Sequence, residues 1–302
     1  MVEAILKSTA IAATMALFFS CSSDNDTTPD TTYYVADYQN ILVDGPLNID
    51  FVNGNQKKSS TSTYKVMVEA PDNLKAEVSV VSKDGTLTLK ASKEISLKDQ
   101  IHITVSTPVN ISEIKLKSDQ TAVFDGELKQ PGLIVVTEGH SSLTLKNIEV
   151  ANLMCKTKGG SELTITTYSE VLTEPQTFSS QRGTRVNETT LLVDNRYTYV
   201  GTSVTLEDGS WKVEGDKIYV TYFMNQCLFE ADGSTTIDAI AAQSRVVDIQ
   251  LNGTSSANVY AIEKITGQGK GSSTLYYKDI AGVDITNFIT QGAAQVSPYI
   301  AQ

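Results

Sequence analysis

Histidine is almost missing from this chain: His102 and His140 are the only two among 302 residues. There is no His-Glu-x-x-His run and no paired His/Cys ligand set, so nothing supports a zinc site or histidine-centred catalysis. Tryptophan occurs once and cysteine three times. Basic residues are outnumbered, with 24 Lys and Arg against 35 Asp and Glu, and the net charge is −11. An acidic surface repels phosphate backbones, and no Lys/Arg cluster offsets it, which argues against nucleic-acid binding. The longest early apolar run, Thr9 to Phe19, is well short of the roughly 20 residues that a membrane-spanning helix needs. Helix-type spacing of apolar residues is scarce too. Gly-x-Ser-x-Gly is absent, and Gly267-Gln268-Gly269-Lys270-Gly271-Ser272 leads into a strand, so no helix N-terminus stands ready for a phosphate.

What the chain does have is a returning phrase: small polar residues around a glycine, then an alternating apolar strand. It reads Gly139-His140-Ser141-Ser142-Leu143-Thr144-Leu145, then Gly160-Ser161-Glu162-Leu163-Thr164-Ile165, then Gly233-Ser234-Thr235-Thr236-Ile237. It returns as Gly253-Thr254-Ser255-Ser256-Ala257-Asn258-Val259 and as Gly271-Ser272-Ser273-Thr274-Leu275. Steps of about 20 residues suit the rung of a solenoid. Stacked rungs turn inward positions into apolar columns, so Leu143, Leu145, Leu163, Ile165, Ile237, Val259 and Leu275 are the expected core. Corners need residues that accept positive φ or bond their own backbone, which casts Ser141, Ser142 and Ser272 as corner residues rather than nucleophiles. Residues after Gly282 are expected to cap the last rung.

Residues 1–20 read as a secretion signal ending in Phe18-Phe19-Ser20-Cys21, which resembles a bacterial lipobox. The resemblance implies lipidation of Cys21 and attachment to a membrane. Ser22-Ser23-Asp24-Asn25-Asp26 is similar to the acidic export tag of Bacteroidetes surface lipoproteins, and an acidic tether is expected over 21–32. Asp26-Thr27-Thr28 and Asp30-Thr31-Thr32 resemble that phylum's Asp-Thr-X O-glycosylation sequon, with Thr27 and Thr31 as acceptors.

The rungs stop after Thr166 and resume near Cys227. Residues 169–226 read instead as antiparallel hairpins with Asp-Gly and Gly-Asp turns, an insertion on the side of the solenoid. Solenoids carry binding surfaces on such insertions. Trp211, Tyr219 and Tyr222 are therefore candidate ligand contacts for a glycan or a host or envelope protein, or else they form the insertion's own small core. Cys155 and Cys227 fall at similar places on neighbouring rungs, where a disulfide is one outcome and two reduced, buried thiols the other.

The opening turns and strands through Ala70-Pro71-Asp72-Asn73-Leu74, then Lys83-Asp84-Gly85-Thr86-Leu87-Thr88-Leu89, the Gly/Ser rungs, and the closing Gly269-Lys270-Gly271-Ser272-Ser273-Thr274-Leu275-Tyr276-Tyr277-Lys278 resemble the head GIN domain family of auto-transporter adhesins over residues 35–168 and 227–280. The expected fold is all-β: a right-handed, single-stranded parallel β-helix in two parts (33–168 and 227–291) around the β-rich insertion, with a tail at 292–302. The resemblance implies adhesion or binding rather than catalysis, with no cofactor or metal expected, and the lipobox and acidic tag imply anchoring at the outer membrane, exposed at the surface or facing the periplasm. The competing reading is a carbohydrate-binding or polysaccharide-cleaving β-helix, a lyase or glycoside hydrolase. That reading needs clustered carboxylates, and Asp232, Asp238 and Asp248 are the set to watch.

Overall fold

The computed structural model describes residues 30–53, 63–92, 101–108, 110–125, 128–280 and 282–300. Cys21 and Thr27 lie outside them. Apart from one short helix, α1 (Asp72–Lys75), every regular element is a strand. The first part of the chain forms β1 (Thr31–Ala36), β2 (Asn40–Asp44), β3 (Asn48–Asn53), β4 (Thr63–Glu69), β5 (Val78–Lys83), β6 (Thr86–Ala91), β7 (His102–Thr107), β8 (Glu113–Lys117), β9 (Thr121–Asp125), β10 (Lys129–Thr137), β11 (Ser142–Gly159) and β12 (Glu162–Thr167). The middle contributes β13 (Ser169–Leu172), β14 (Gln176–Phe178), β15 (Gly183–Asn187), β16 (Thr190–Val193), β17 (Tyr197–Thr205) and β18 (Trp211–Tyr222). The last part is β19 (Met224–Gly233), β20 (Thr236–Leu251), β21 (Ser256–Gly271), β22 (Thr274–Tyr277), β23 (Asp284–Gly292) and β24 (Gln295–Pro298).

Two parallel ladders carry the body of the molecule. One runs β6–β2–β8–β10 and continues through the second half of β11, β19, the second halves of β20 and β21, and β23. The other runs β7–β3–β9 and continues through the first half of β11, β12, the first halves of β20 and β21, then β22 and β24. From β6 onward the chain alternates between the ladders, and β11, β20 and β21 pass from one to the other as single bent strands. Asn147, with φ of 55°, marks the bend in β11.

Each ladder turns a column of side chains inward. Ile49, Ala122, Leu143, Leu163, Ile237, Ala257 and Leu275 face one another in register on successive strands. All are buried, as are Leu145, Ile165 and Val259, so the expected core is the observed one. Burying one such leucine is worth about 2 kcal/mol, and the column repeats that gain at every rung.

The corners explain the glycines. Gly139, Gly159, Gly233, Gly253 and Gly271 stack above one another, each with φ between 73° and 93°. A Cβ on Gly159 would sit 2.7 Å from Gly139 O, and one on Gly233 would sit 2.7 Å from Gly159 O. Successive corners stack so closely that Gly160 N donates to Gly139 O, Ser234 N to Gly159 O and Ser272 N to Gly253 O. The in-register glycine of the second phrase is therefore Gly159 rather than Gly160. Ser141, Ser161, Thr235, Ser255 and Ser273 form a buried column behind these corners. Ser141 and Ser255 meet the cost of burial locally, donating to Glu138 O at 2.8 Å and Asn252 O at 2.9 Å.

The two ends differ. At the head, β1 pairs antiparallel with β4, and β5 antiparallel with β6. Ser82 Oγ on β5 donates to Ala36 O at the end of β1, while Tyr38 fills the space beneath and donates to Ser106 O. Asn-Gly is hairpin-turn chemistry, and Asn53-Gly54 follows β3 in the sequence, yet β3 and β4 do not pair: β4 pairs with β1 and β7, because β3 is already held between β7 and β9. At the tail, the residues expected to form a cap add one more rung, β23 on β21 and β24 on β22.

Candidate binding surface

The insertion opens one rung at its midpoint. Leu143 faces Leu163, about 20 residues on, yet Leu163 faces Ile237. On the other ladder Leu153 faces Cys227. β12 and β19 are thus two sides of one rung, and with β11 and β20 they close a ring of four parallel strands. Tyr222 N donates to Tyr168 O at 2.9 Å, so the excursion leaves and re-enters at adjacent points. The rung resumes at Met224, earlier than the Cys227 expected from the repeats.

Within the excursion β15–β16–β17–β18–β13 form an antiparallel sheet, with β14 also on β18. Its inner side carries its own cluster of Phe178, Leu191, Val193, Val213, Ile218 and Val220. Trp211 packs partly buried against this cluster and takes the space that Gly183 leaves open, where a Cβ would stand 2.5 Å from the indole Cδ1. Tyr222 is buried and its ring packs edge-on against Tyr197. Of the three aromatic residues read from sequence, Tyr222 is thus buried and Trp211 partly buried on the insertion's own core.

Tyr197 fastens the sheet to the body. Its hydroxyl donates to Glu149 on β11, and Lys129 on β10 sits 3.0 Å from that hydroxyl and 2.7 Å from the Glu149 carboxylate. The hydrogen bond to Glu149 holds the Lys129 ammonium more basic than usual, and burial followed by Glu149 raises the Tyr197 phenol.

The third aromatic residue behaves differently. Tyr219 is 50% exposed on the outer side of the sheet, with Val171 of β13 opposite it on one flank and Val200 of β17 on the other. These valines are 52% and 39% exposed. The next row on that side is Ser169, Thr221 and Thr198. None of the six carries a charge, although the chain as a whole is strongly acidic. Sequence reading found Tyr219 but neither valine, since their adjacency is created by register across three strands.

The remaining candidates separate. Asp238 projects from the ladder containing β12, whereas Asp232 and Asp248 lie on the other ladder in different rows, so the three carboxylates do not converge. Among the described residues no group of three or more His, Cys, Asp and Glu could hold a metal ion. A shallow groove runs past Lys156, Lys158, Glu230 and Asp232, and Lys156 spends its charge on Glu230 at 3.0 Å. Thr31 opens β1 opposite Val68 with a half-buried side chain, so the expected tether is already strand at that point.

Cys155 and Cys227 are both free and buried. Cys155 faces Phe229 and Cys227 faces Leu153, an offset of two residues along the strands. With strands about 4.8 Å apart and about 3.3 Å of rise per residue, the Cα atoms stand roughly 8 Å apart, beyond disulfide reach. Burial raises both thiols, Cys227 to about 12.

No helix among the described residues is long and apolar enough to cross a membrane. None of the curated proteins compared matches the chain. Solved structures do share its fold. A "putative adhesin" from Bacteroides fragilis aligns with a TM-score of 0.61 at 13% identity, over 90% of this chain and 96% of its own. A second "putative adhesin", from Parabacteroides distasonis, gives 0.53 at 13% identity over 91% and 98%. A "putative lipid binding protein" from the same species gives 0.52 at 12% identity over 89% and 96%. The family model described as "Putative auto-transporter adhesin, head GIN domain" matches residues 37–196 and 213–280, which reaches into the insertion from both sides and leaves out the stretch from Tyr197 to Lys212. With its parallel ladders, its corner glycines and most of its length inside that match, the chain belongs to the head GIN domain family.

Proposed function

We propose that the chain is a cell-envelope adhesin, tethered by lipid at Cys21, with the outer side of the insertion sheet as its contact surface for a glycan or a protein. On this reading the two ladders are the broad faces of a right-handed parallel β-helix that acts as a stiff stalk, and it performs no catalysis. One observation carries the assignment: the uncharged row of Val171, Tyr219 and Val200 is exposed on a sheet that has a separate core of its own beneath it. Exposed apolar groups with hydroxyls along one flank suit the apolar face of a sugar ring or a protein patch. The acidic residues after Cys21, the Asp-Thr-X site at Thr27 and the family's adhesin description fit display outside the outer membrane.

Cells carrying the wild-type chain or Tyr219→Lys would be compared for retention on mucin-coated glass and for binding to an array of defined oligosaccharides. Retention or array binding by the wild type, lost in the variant while surface protease shaving still removes both proteins, is the expected result. Equal retention of the two, or protection of the chain from shaving, would count against the reading. Cys21→Ser should move the protein out of the membrane fraction.

A further inference from the structure

The two ends of the body finish differently. Interior strands of both ladders are paired on two sides; at the head the outermost strands, β1 and β5, are antiparallel, each with one partner strand among the described residues, and are linked to each other by the Ser82–Ala36 hydrogen bond. At the tail, β23 pairs only with β21 and β24 only with β22 among the described residues. Among the described residues both ladders therefore finish in an unpaired edge, at the same end. Unpaired backbone N–H and C=O groups on such an edge are a template for another strand.

The core is open there too. Ile285, Phe288 and Val296 pack against the interior but remain only partly buried, whereas Leu275, which Val296 faces, is fully buried. Phe288 follows Ile249 and Gly267 in one inward column, and its partly buried ring lies beside Gly269 of the preceding strand. Ile289 on β23 is 58% exposed. The usual guards of a free edge are sparse. β23 and β24 contain no Lys or Arg, and their one acid, Asp284, accepts from Thr286 N and Thr286 Oγ1 rather than standing free; a proline enters only at the final residue, Pro298.

We propose that this end docks a second copy of the chain, tail to tail, by pairing β23 and β24 with the same strands of the partner. A twofold axis lets one uncharged edge meet itself, and Asp284, at the start of β23, falls opposite the far end of the partner strand in an antiparallel pairing, so the two acids stay apart. A twofold contact uses the same edges of both copies, so the association closes at two copies instead of growing into a fibre. Elsewhere the acidic surfaces of two copies repel. This inference is independent of the contact surface on the insertion.

The test is sedimentation equilibrium of the full chain carrying Cys21→Ser, so that lipid cannot associate it. A mass of two copies is expected, with Asn287→Lys/Ile289→Lys giving one copy and an unchanged circular dichroism spectrum, because lysines on both edges would face each other. The same chain carrying Tyr219→Lys should remain paired. A single copy at every concentration, an open-ended polymer, or a lysine variant that still pairs would overturn the proposal. If the lysine variant fails to fold, hydrogen exchange of the parent chain decides: amides of β23 and β24 should lose protection on dilution, and concentration-independent exchange there would refute the dimer.

Discussion

The body and the insertion are both β-structure, yet they are held together by different means. In the body a strand's partners lie a whole rung away along the chain, and the apolar column exists only once several rungs have stacked. In the insertion most partners are neighbours in sequence: β15, β16, β17 and β18 follow one another as antiparallel strands over a six-residue cluster, and β13 and β14 both lie against β18. The difference teaches that the body is a cooperative scaffold in which any rung affects the next, whereas the insertion is a local unit attached at a single opened rung. A surface on the insertion is accordingly free to carry side chains that the body could not place without disturbing its columns.

The largest effect should come from breaking a column. Leu163 is buried between Leu143 and Ile237. Leu163→Asp would leave a carboxylate with no partner there and should abolish soluble, folded protein, as read by circular dichroism. Next is the corner stack. Gly159→Val puts a β-branched residue at φ of 83° and a Cβ against the Gly139 carbonyl, and should cost about 3 kcal/mol in urea denaturation. A surface change of similar size at Tyr219 should cost less than about 0.5 kcal/mol.

Smaller again is the joint between the two regions. Tyr197→Phe removes the hydroxyl shared with Glu149 and Lys129 and should lower stability by about 1 kcal/mol, with faster hydrogen exchange in the insertion than in the rungs. The two thiols sharpen the same contrast from the body side. Neither should react with a disulfide reagent in the native state, and both should titrate once the chain unfolds. Folding holds their protons more tightly than the unfolded chain does, so this contribution to stability is intact below the ordinary thiol pKa of 9.0 and is lost as pH rises above it.

Much of this was legible in the sequence because it rests on period. Alternation in Leu143-Thr144-Leu145 and Leu163-Thr164-Ile165 is enough to name the inward column, and recurring glycines name the corners. Features that depend on register were not legible. Cys155 and Cys227 share a face but miss each other by two residues, and only the pairing of Leu153 with Cys227 reveals it. Asn53-Gly54 has hairpin chemistry, but a strand already flanked by β7 and β9 has no edge to offer β4. Trp211 and Tyr222 were indistinguishable from Tyr219 by composition, and strand alternation sorted them: Tyr222 falls on the inner side of β18 and Tyr219 on the outer.

The most direct measurement replaces residues 169–222 with a two-glycine link from Tyr168 to Phe223, whose surroundings already meet through the Tyr222–Tyr168 hydrogen bond. Thermal unfolding and retention on mucin-coated glass would be followed together, with the wild type as the positive control. A body that still unfolds cooperatively, with a midpoint near that of the parent, and no longer adheres is the predicted result. A shortened chain that cannot fold, or one that folds and adheres as strongly as the parent, would contradict the division of labour between scaffold and insertion.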